Sequence, residues 1–201
     1  MKKVLLIRHA ESIANSGEAS SDPRSIPLSQ AGHRQSEELT KKILTCPDLI
    51  VLSRYLRTHQ TAQPLLNVFP QARLEIWDNA HEFTYLDQSC CIGMNAAQRK
   101  PLIEEYWSRN DTNYCDGGNA ETFLDFLMRA ANCMNGIRSR KESEILLFSH
   151  GQLILAAIML LERGSFPMSK IDQYNFMESF REQSRSRTPK NTEIIDVSEF
   201  F

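Results

Sequence analysis

Short apolar runs punctuate this chain at wide intervals, and the stretches between them carry helical periodicity. Five β-rich runs stand out: Lys3–Arg8, Asp48–Ser53, Arg73–Trp77, Glu144–Ser149 and Glu193–Val197. Three contain an unbroken apolar core: Val4-Leu5-Leu6-Ile7, Leu49-Ile50-Val51-Leu52 and Ile145-Leu146-Leu147-Phe148. A strand wetted on one side alternates apolar and polar residues. An unbroken run marks a strand covered on both faces, as in a parallel sheet lying between helices.

Helices are predicted between these strands. Ser29 is placed to cap one that runs to about Leu44. A second begins near Leu56 and is disturbed by Pro64. The clearest covers Glu121 to about Ile137, where Phe123, Phe126, Leu127, Ala130, Ala131 and Met134 share one face. Asn119, after the Gly117-Gly118 turn, is its candidate cap. A final apolar helix begins at Gln152. Strands alternating with helices predict an α/β fold, a three-layer α/β/α sandwich with a mainly parallel central sheet. Residues 1–201 are read as a single domain.

The order lapses from about Phe83 to Gly118. This segment reads as an insertion, or lid, with one short helix near Ala96–Trp107, of the kind that covers a site at the strand ends. Its Tyr85, Tyr106 and Trp107 either line a substrate pocket or form the insertion's own core. The polar, basic stretch Arg181–Lys190 is read as an exposed connection to the last strand.

Composition narrows the function classes. The formal net charge is −2, so bulk electrostatics point to neither nucleic acid nor an anionic membrane. Any anion site must be local. The apolar start ends at Arg8 and is too short for a secretory signal, and Leu153–Leu161 is too short to span a bilayer. A cytoplasmic protein is expected. Its five cysteines are odd in number and never spaced as CxxC, which implies neither a disulfide framework nor a zinc site. Reduced, mostly buried thiols are expected, with no metal and no cofactor.

Local chemistry gathers at the strand ends, where open α/β sheets bind ligands. Arg8-His9-Ala10-Glu11-Ser12 leaves the first buried strand directly, and Ser149-His150-Gly151 leaves another. Ser53, followed by Arg54 and Arg57, leaves a third. One sheet edge is therefore expected to hold Arg8, His9, Arg57 and His150, with Asn15 nearby. Guanidinium forks suit a phosphate dianion, whose charge repels nucleophiles until neutralised. An unprotonated imidazole attacks phosphorus at neutral pH, and nearby guanidinium groups keep it neutral. The leaving alkoxide then needs a proton from a carboxylic acid. Glu82, just past the Arg73–Trp77 run and beside apolar Phe83 and Tyr85, is the candidate. Glu11 is read as orienting its loop. His33, His59 and His81 are read as surface or helix histidines.

Taken together, these motifs resemble the histidine phosphatase superfamily, the phosphoglycerate mutase-like folds that open with Arg-His-Gly/Ala-Glu-Ser/Thr. Arg8-His9-Ala10-Glu11-Ser12 is similar to that opening, and Asn15 falls where the family has a phosphate-contacting asparagine. Pro27-Leu28-Ser29-Gln30-Ala31-Gly32 with Gln35, and Ser53 to Ala62 around Arg57, resemble two further family segments. Gly118 to Phe123 with Arg129, and the closing Ser149-His150-Gly151, resemble two more. The likeness runs through nearly the whole chain in order, which is more specific than any single motif. Arg54 and Tyr55 depart from the family's small or proline-containing turn, and the 83–118 insertion matches no substrate class.

The resemblance implies a metal-independent phosphomonoesterase of the phosphatase branch. His9 is the nucleophile, passing through a phosphohistidine. Arg8, Asn15, Arg57 and His150 bind the phosphoryl group, and Glu82 protonates the leaving oxygen. The partner is a small-molecule phosphate ester or a phosphoprotein. Phosphoglycerate mutase-type transfer and a non-catalytic phospho-ligand binding module are the alternatives.

Overall fold

A computed structural model describes residues 2–19 and 22–201; Met1, Ser20 and Ser21 lie outside the described residues. The chain runs β1 (Lys3–Arg8), α1 (Gln30–Thr40), β2 (Leu49–Ser53), α2 (Leu56–Val68), β3 (Arg73–Trp77) and a 3₁₀ turn (Asp78–Ala80). It continues through α3 (Gln88–Cys91), α4 (Ala96–Arg109), α5 (Phe123–Ser139), β4 (Glu144–Ser149), α6 (Gly151–Arg163), α7 (Lys170–Gln183) and β5 (Ile194–Asp196). The strands form one sheet ordered β3-β2-β4-β1-β5. All neighbours are parallel except β5, which pairs antiparallel with β1 at the edge.

The unbroken apolar runs become the sheet's centre, and their alternate residues feed two separate cores. Leu5, Ile7, Ile50, Leu52, Leu146 and Phe148 point to one face, against Leu39 of α1 and Ala62 and Leu65 of α2. Val4, Leu6, Leu49, Val51, Ile145 and Leu147 point to the other, against α5, α6 and α7. Period-two side-chain alternation thus divides each run between the layers of an α/β/α sandwich.

Several expectations need correction. α1 ends at Thr40, short of Leu44. Pro64 lies inside α2 without ending it. α5 is capped by Thr122, whose side chain accepts from the Asp125 amide, and not by Asn119. The apolar helix after β4 is followed by another, α7, whose buried stripe is only Phe176, Met177 and Phe180 amid charged residues. So sparse a stripe carries little periodic signal. α7 also absorbs the start of the supposed exposed connection, since Arg181 donates to the Trp107 carbonyl at 3.1 Å. In the 83–118 segment, Tyr106 and Trp107 belong to the core. Of the cysteines, all unpaired, only Cys91 and Cys133 are buried.

Candidate active site

Register places the motifs side by side. β1 and β4 pair in parallel with Arg8 opposite Ser149, and the His9 amide donates to the Ser149 carbonyl at 2.9 Å. β2 lies on the other side of β4, with Leu52 opposite Phe148. Three parallel strands therefore deliver His9, Ser53 and His150 to one edge. The two imidazole centroids stand 5.2 Å apart.

Arg57, from the first turn of α2, joins them. Its Nε donates to His9 Nε2 at 3.1 Å, and its Nη2 lies 3.0 Å from His150 Nδ1. Its Nη1 donates to the Pro23 carbonyl at 2.7 Å. A guanidinium only donates, so both facing imidazole nitrogens must be acceptors. The second nitrogens agree: His9 Nδ1 lies 2.7 Å from the Ala10 carbonyl, and His150 Nε2 lies 2.8 Å from Ser53 Oγ. This pattern assigns His9 the Nδ1–H tautomer and His150 the Nε2–H tautomer, leaving a lone pair on His9 Nε2. Burial, and then Arg57, hold the pKa of each well below the usual 6.5. The guanidinium effect expected from sequence is present, yet burial is the larger cause. Burial also draws Arg57 down to about 10, still charged at neutral pH.

A second set of contacts fixes the loop after β1. The Ala10 amide donates to Thr61 Oγ1, which donates onward to the Arg57 carbonyl. Glu11 takes the Ser29 hydroxyl at 2.6 Å, so it orients its loop as expected. Gly32 is required there because a Cβ would lie 2.0 Å from the Glu11 carbonyl oxygen. Asn15 is exposed, and its Oδ1 accepts from the Ser12 amide and hydroxyl.

Arg8 packs beside Gly151, where a Cβ would stand 2.7 Å from Thr188 Cγ2 and 3.4 Å from Arg8 Nε. Its Nη1 donates to the Pro189 carbonyl at 2.6 Å, while its buried Nε has no hydrogen-bond partner among the described residues. Asn191 donates to the His9 carbonyl at 2.8 Å. Sequence reasoning missed Thr188, Pro189 and Asn191. Thr188 and Pro189 sit in the stretch expected to be a mere connection and Asn191 follows it directly, and no periodicity or motif marks them.

Glu82 stands at the start of α6. Its carboxylate accepts from the Phe83, Leu153 and Gln152 amides at 3.0, 3.3 and 3.4 Å. Phe83, expected to surround it with apolar surface, lies mostly in the core, stacked on Phe126 at 4.2 Å, and reaches the cavity wall only with its edge-exposed remainder beside Tyr85. Glu82 is held by a neighbouring pair. Arg129 donates to both Glu121 oxygens, at 3.0 and 2.6 Å, and to the carbonyls of Asn79, His81 and Glu82. Glu121, from the Gly118–Phe123 stretch, and Arg129 thus position the Glu82 segment without lining the cavity.

The cavity measures about 370 Å³. Arg8, His9, Asn15, Arg57 and Glu82 line it, with Tyr55, Tyr85 and residues of α3 and α4 on its walls. His150 does not line it. It is fully buried behind Arg57. Arg54 points elsewhere, lying 3.8 Å from Asp78. His81 is also outside, its pKa lowered to about 4 by burial and Arg129. Among the described residues no three His, Cys, Asp or Glu side chains group to hold a metal ion, and no helix is long and apolar enough to cross a membrane.

Solved structures share this architecture. One, provisionally described as an alpha-ribazole-5'-P phosphatase from Escherichia coli, is 21% identical with a TM-score of 0.74, covering 100% of this chain and 92% of its own. A mycobacterial glucosyl-3-phosphoglycerate phosphatase is 18% identical with a TM-score of 0.69, covering 97% and 89%. Phosphoserine phosphatase from Entamoeba histolytica is 18% identical with a TM-score of 0.66, covering 98% and 90%. No curated protein matches the sequence. The profile described as the histidine phosphatase superfamily (branch 1) matches residues 4–178, and the chain belongs to that superfamily.

Proposed function

We propose that this chain is a phosphomonoesterase working through a phosphohistidine on His9, with no metal taking part. One observation carries the reading: the lone pair of a neutral His9 Nε2 sits beside a charged Arg57 at the wall of a cavity shared with Arg8 and Glu82. An entering phosphate dianion draws the Arg57 and Arg8 donors onto its oxygens and uncovers Nε2. Nε2 attacks phosphorus, the ester P–O bond breaks, and Glu82 gives its proton to the departing alkoxide. Water then attacks the phosphohistidine, its proton passes to Glu82, the P–N bond breaks and phosphate leaves. Asn15 adds a donor at the rim. His150 supports the phosphoryl group through Arg57.

The relatives named as phosphatases support this reaction class. The cavity volume suits a small-molecule ester. Five free thiols suit a reducing, cytoplasmic setting. His9→Ala tests the mechanism. It should abolish release of phosphate from p-nitrophenyl phosphate and prevent acid-quench trapping of labelled phosphohistidine, with an unchanged circular dichroism spectrum. Full activity in that variant overturns the reading.

A further inference from the structure

Beyond α7 the chain returns to the site as a strap. β5 pairs with β1 as far as Ile194 opposite Ile7, and residues 189–193 then run on beside Arg8 and His9. The Arg8 amide donates to the Glu193 carbonyl at 3.3 Å, and the Thr192 amide donates to the Arg8 carbonyl at 3.0 Å. The Pro189 carbonyl takes Arg8 Nη1 at 2.6 Å. At His9 a side chain takes over from the strand: its carbonyl accepts from Asn191 Nδ2 at 2.8 Å. Its amide stays on β4, donating to the Ser149 carbonyl at 2.9 Å. The backbone of the buried candidate nucleophile is thus held from both sides.

The strap keeps this shape against local preference. The Glu193 amide closes a turn on the Lys190 carbonyl at 3.0 Å. The third residue of that turn, Thr192, has φ +58°, where glycine or asparagine is favoured and a β-branched side chain is not. Such a residue persists where its surroundings fix it, often at functional sites. Pro189, Asn191 and Thr192 do not line the cavity, so they reach a substrate only through Arg8 and His9.

Resting on the phosphatase reading, we infer that Asn191 is a positioning residue, which keeps His9 Nε2 in line with phosphorus by holding the His9 carbonyl. Attack requires Nε2 to be freed from Arg57. The imidazole is then tied through Nδ1 to the Ala10 carbonyl, within its own loop, and otherwise through its backbone. Asn191 Nδ2 also lies 3.5 Å from Asn15 Oδ1, so one amide links the nucleophile to the rim. A misplaced nucleophile costs rate more than affinity, because the reacting atoms must meet within narrow limits.

The test measures kcat and KM for p-nitrophenyl phosphate, and phosphohistidine formation by rapid quench, in wild type, Asn191→Ala, Asn191→Asp and Lys190→Ala. Asp keeps the size of Asn and loses the donor. Both Asn191 variants should lower kcat and the rate of phosphohistidine formation by about 10- to 100-fold, with KM within about threefold and an unchanged circular dichroism spectrum. Lys190→Ala alters an exposed side chain of the same turn and should stay within about twofold of wild type. Wild-type kcat in the Asn191 variants, a loss confined to KM, or an equal loss in Lys190→Ala overturns the inference. So does an unfolded spectrum in both Asn191 variants, which assigns the residue to folding alone. If wild type neither turns over the ester nor forms phosphohistidine, the phosphatase reading fails and the inference with it; turnover that is indifferent to Asn191 sinks only the role of the strap.

Discussion

The Nε of Arg57 donates to Nε2 of His9 across 3.1 Å. One guanidinium thereby adds to burial in keeping the candidate nucleophile neutral and marks its reactive nitrogen. The same group reaches His150 Nδ1 and the Pro23 carbonyl, so a single side chain joins β1, β4 and the loop before α1.

Arg57→Lys separates geometry from charge. A lysine keeps the cation and loses the planar fork that meets three acceptors at once. The expected cost is about 100-fold or more in kcat/KM for p-nitrophenyl phosphate, with the fold retained. A variant within threefold of wild type would show that a point charge suffices.

Glu82→Gln probes proton donation through the leaving group. The amide oxygen can still accept from the α6 backbone, so the loop should stay in place. An alkyl phosphate releases a basic alkoxide and should slow by about 10²- to 10⁴-fold. p-Nitrophenyl phosphate releases a stable phenolate and should slow far less. Equal losses on both esters contradict the assignment of Glu82 as the acid.

Stability should depend on the buried His9 and His150 and the partly buried His81. Unfolded, each titrates near 6.5; folded, His81 falls to about 4 and His9 and His150 lie well below 6.5. Below pH 6.5 the unfolded chain therefore binds protons that the folded chain does not. Stability is fully present above pH 6.5 and declines as pH falls toward 4, each histidine contributing up to about 1.4 kcal/mol per pH unit. The carboxyls of Asp87 and Asp196, lowered from 3.8, act only below that window. Urea midpoints at pH 7.5, 6.5, 5.5 and 4.5 measure the slope, and a constant midpoint down to pH 4.5 would refute it.

Much of this architecture is legible in the chain. Val4–Ile7, Leu49–Leu52 and Ile145–Phe148 announce their strands because burial on both faces leaves no polar position in the run. His9 and His150 announce a shared edge because parallel strands end on the same side of a sheet. The 184–192 stretch stays illegible for the opposite reason. Pro189 and Asn191 act through a backbone carbonyl and a side-chain amide on distant residues, and such contacts impose no periodicity. α7 is hidden because three buried residues are enough to dock it.

The sequence by itself determined the strands, the layer order and the set of residues brought to one edge, since these follow from local periodicity and from where buried runs end. Only the tertiary structure decided which side chains face the cavity. It put His150 behind Arg57, set Glu82 against the α6 amides and placed Arg99 on the cavity wall. Those choices depend on distances between segments far apart in the chain, which packing sets and no local pattern records.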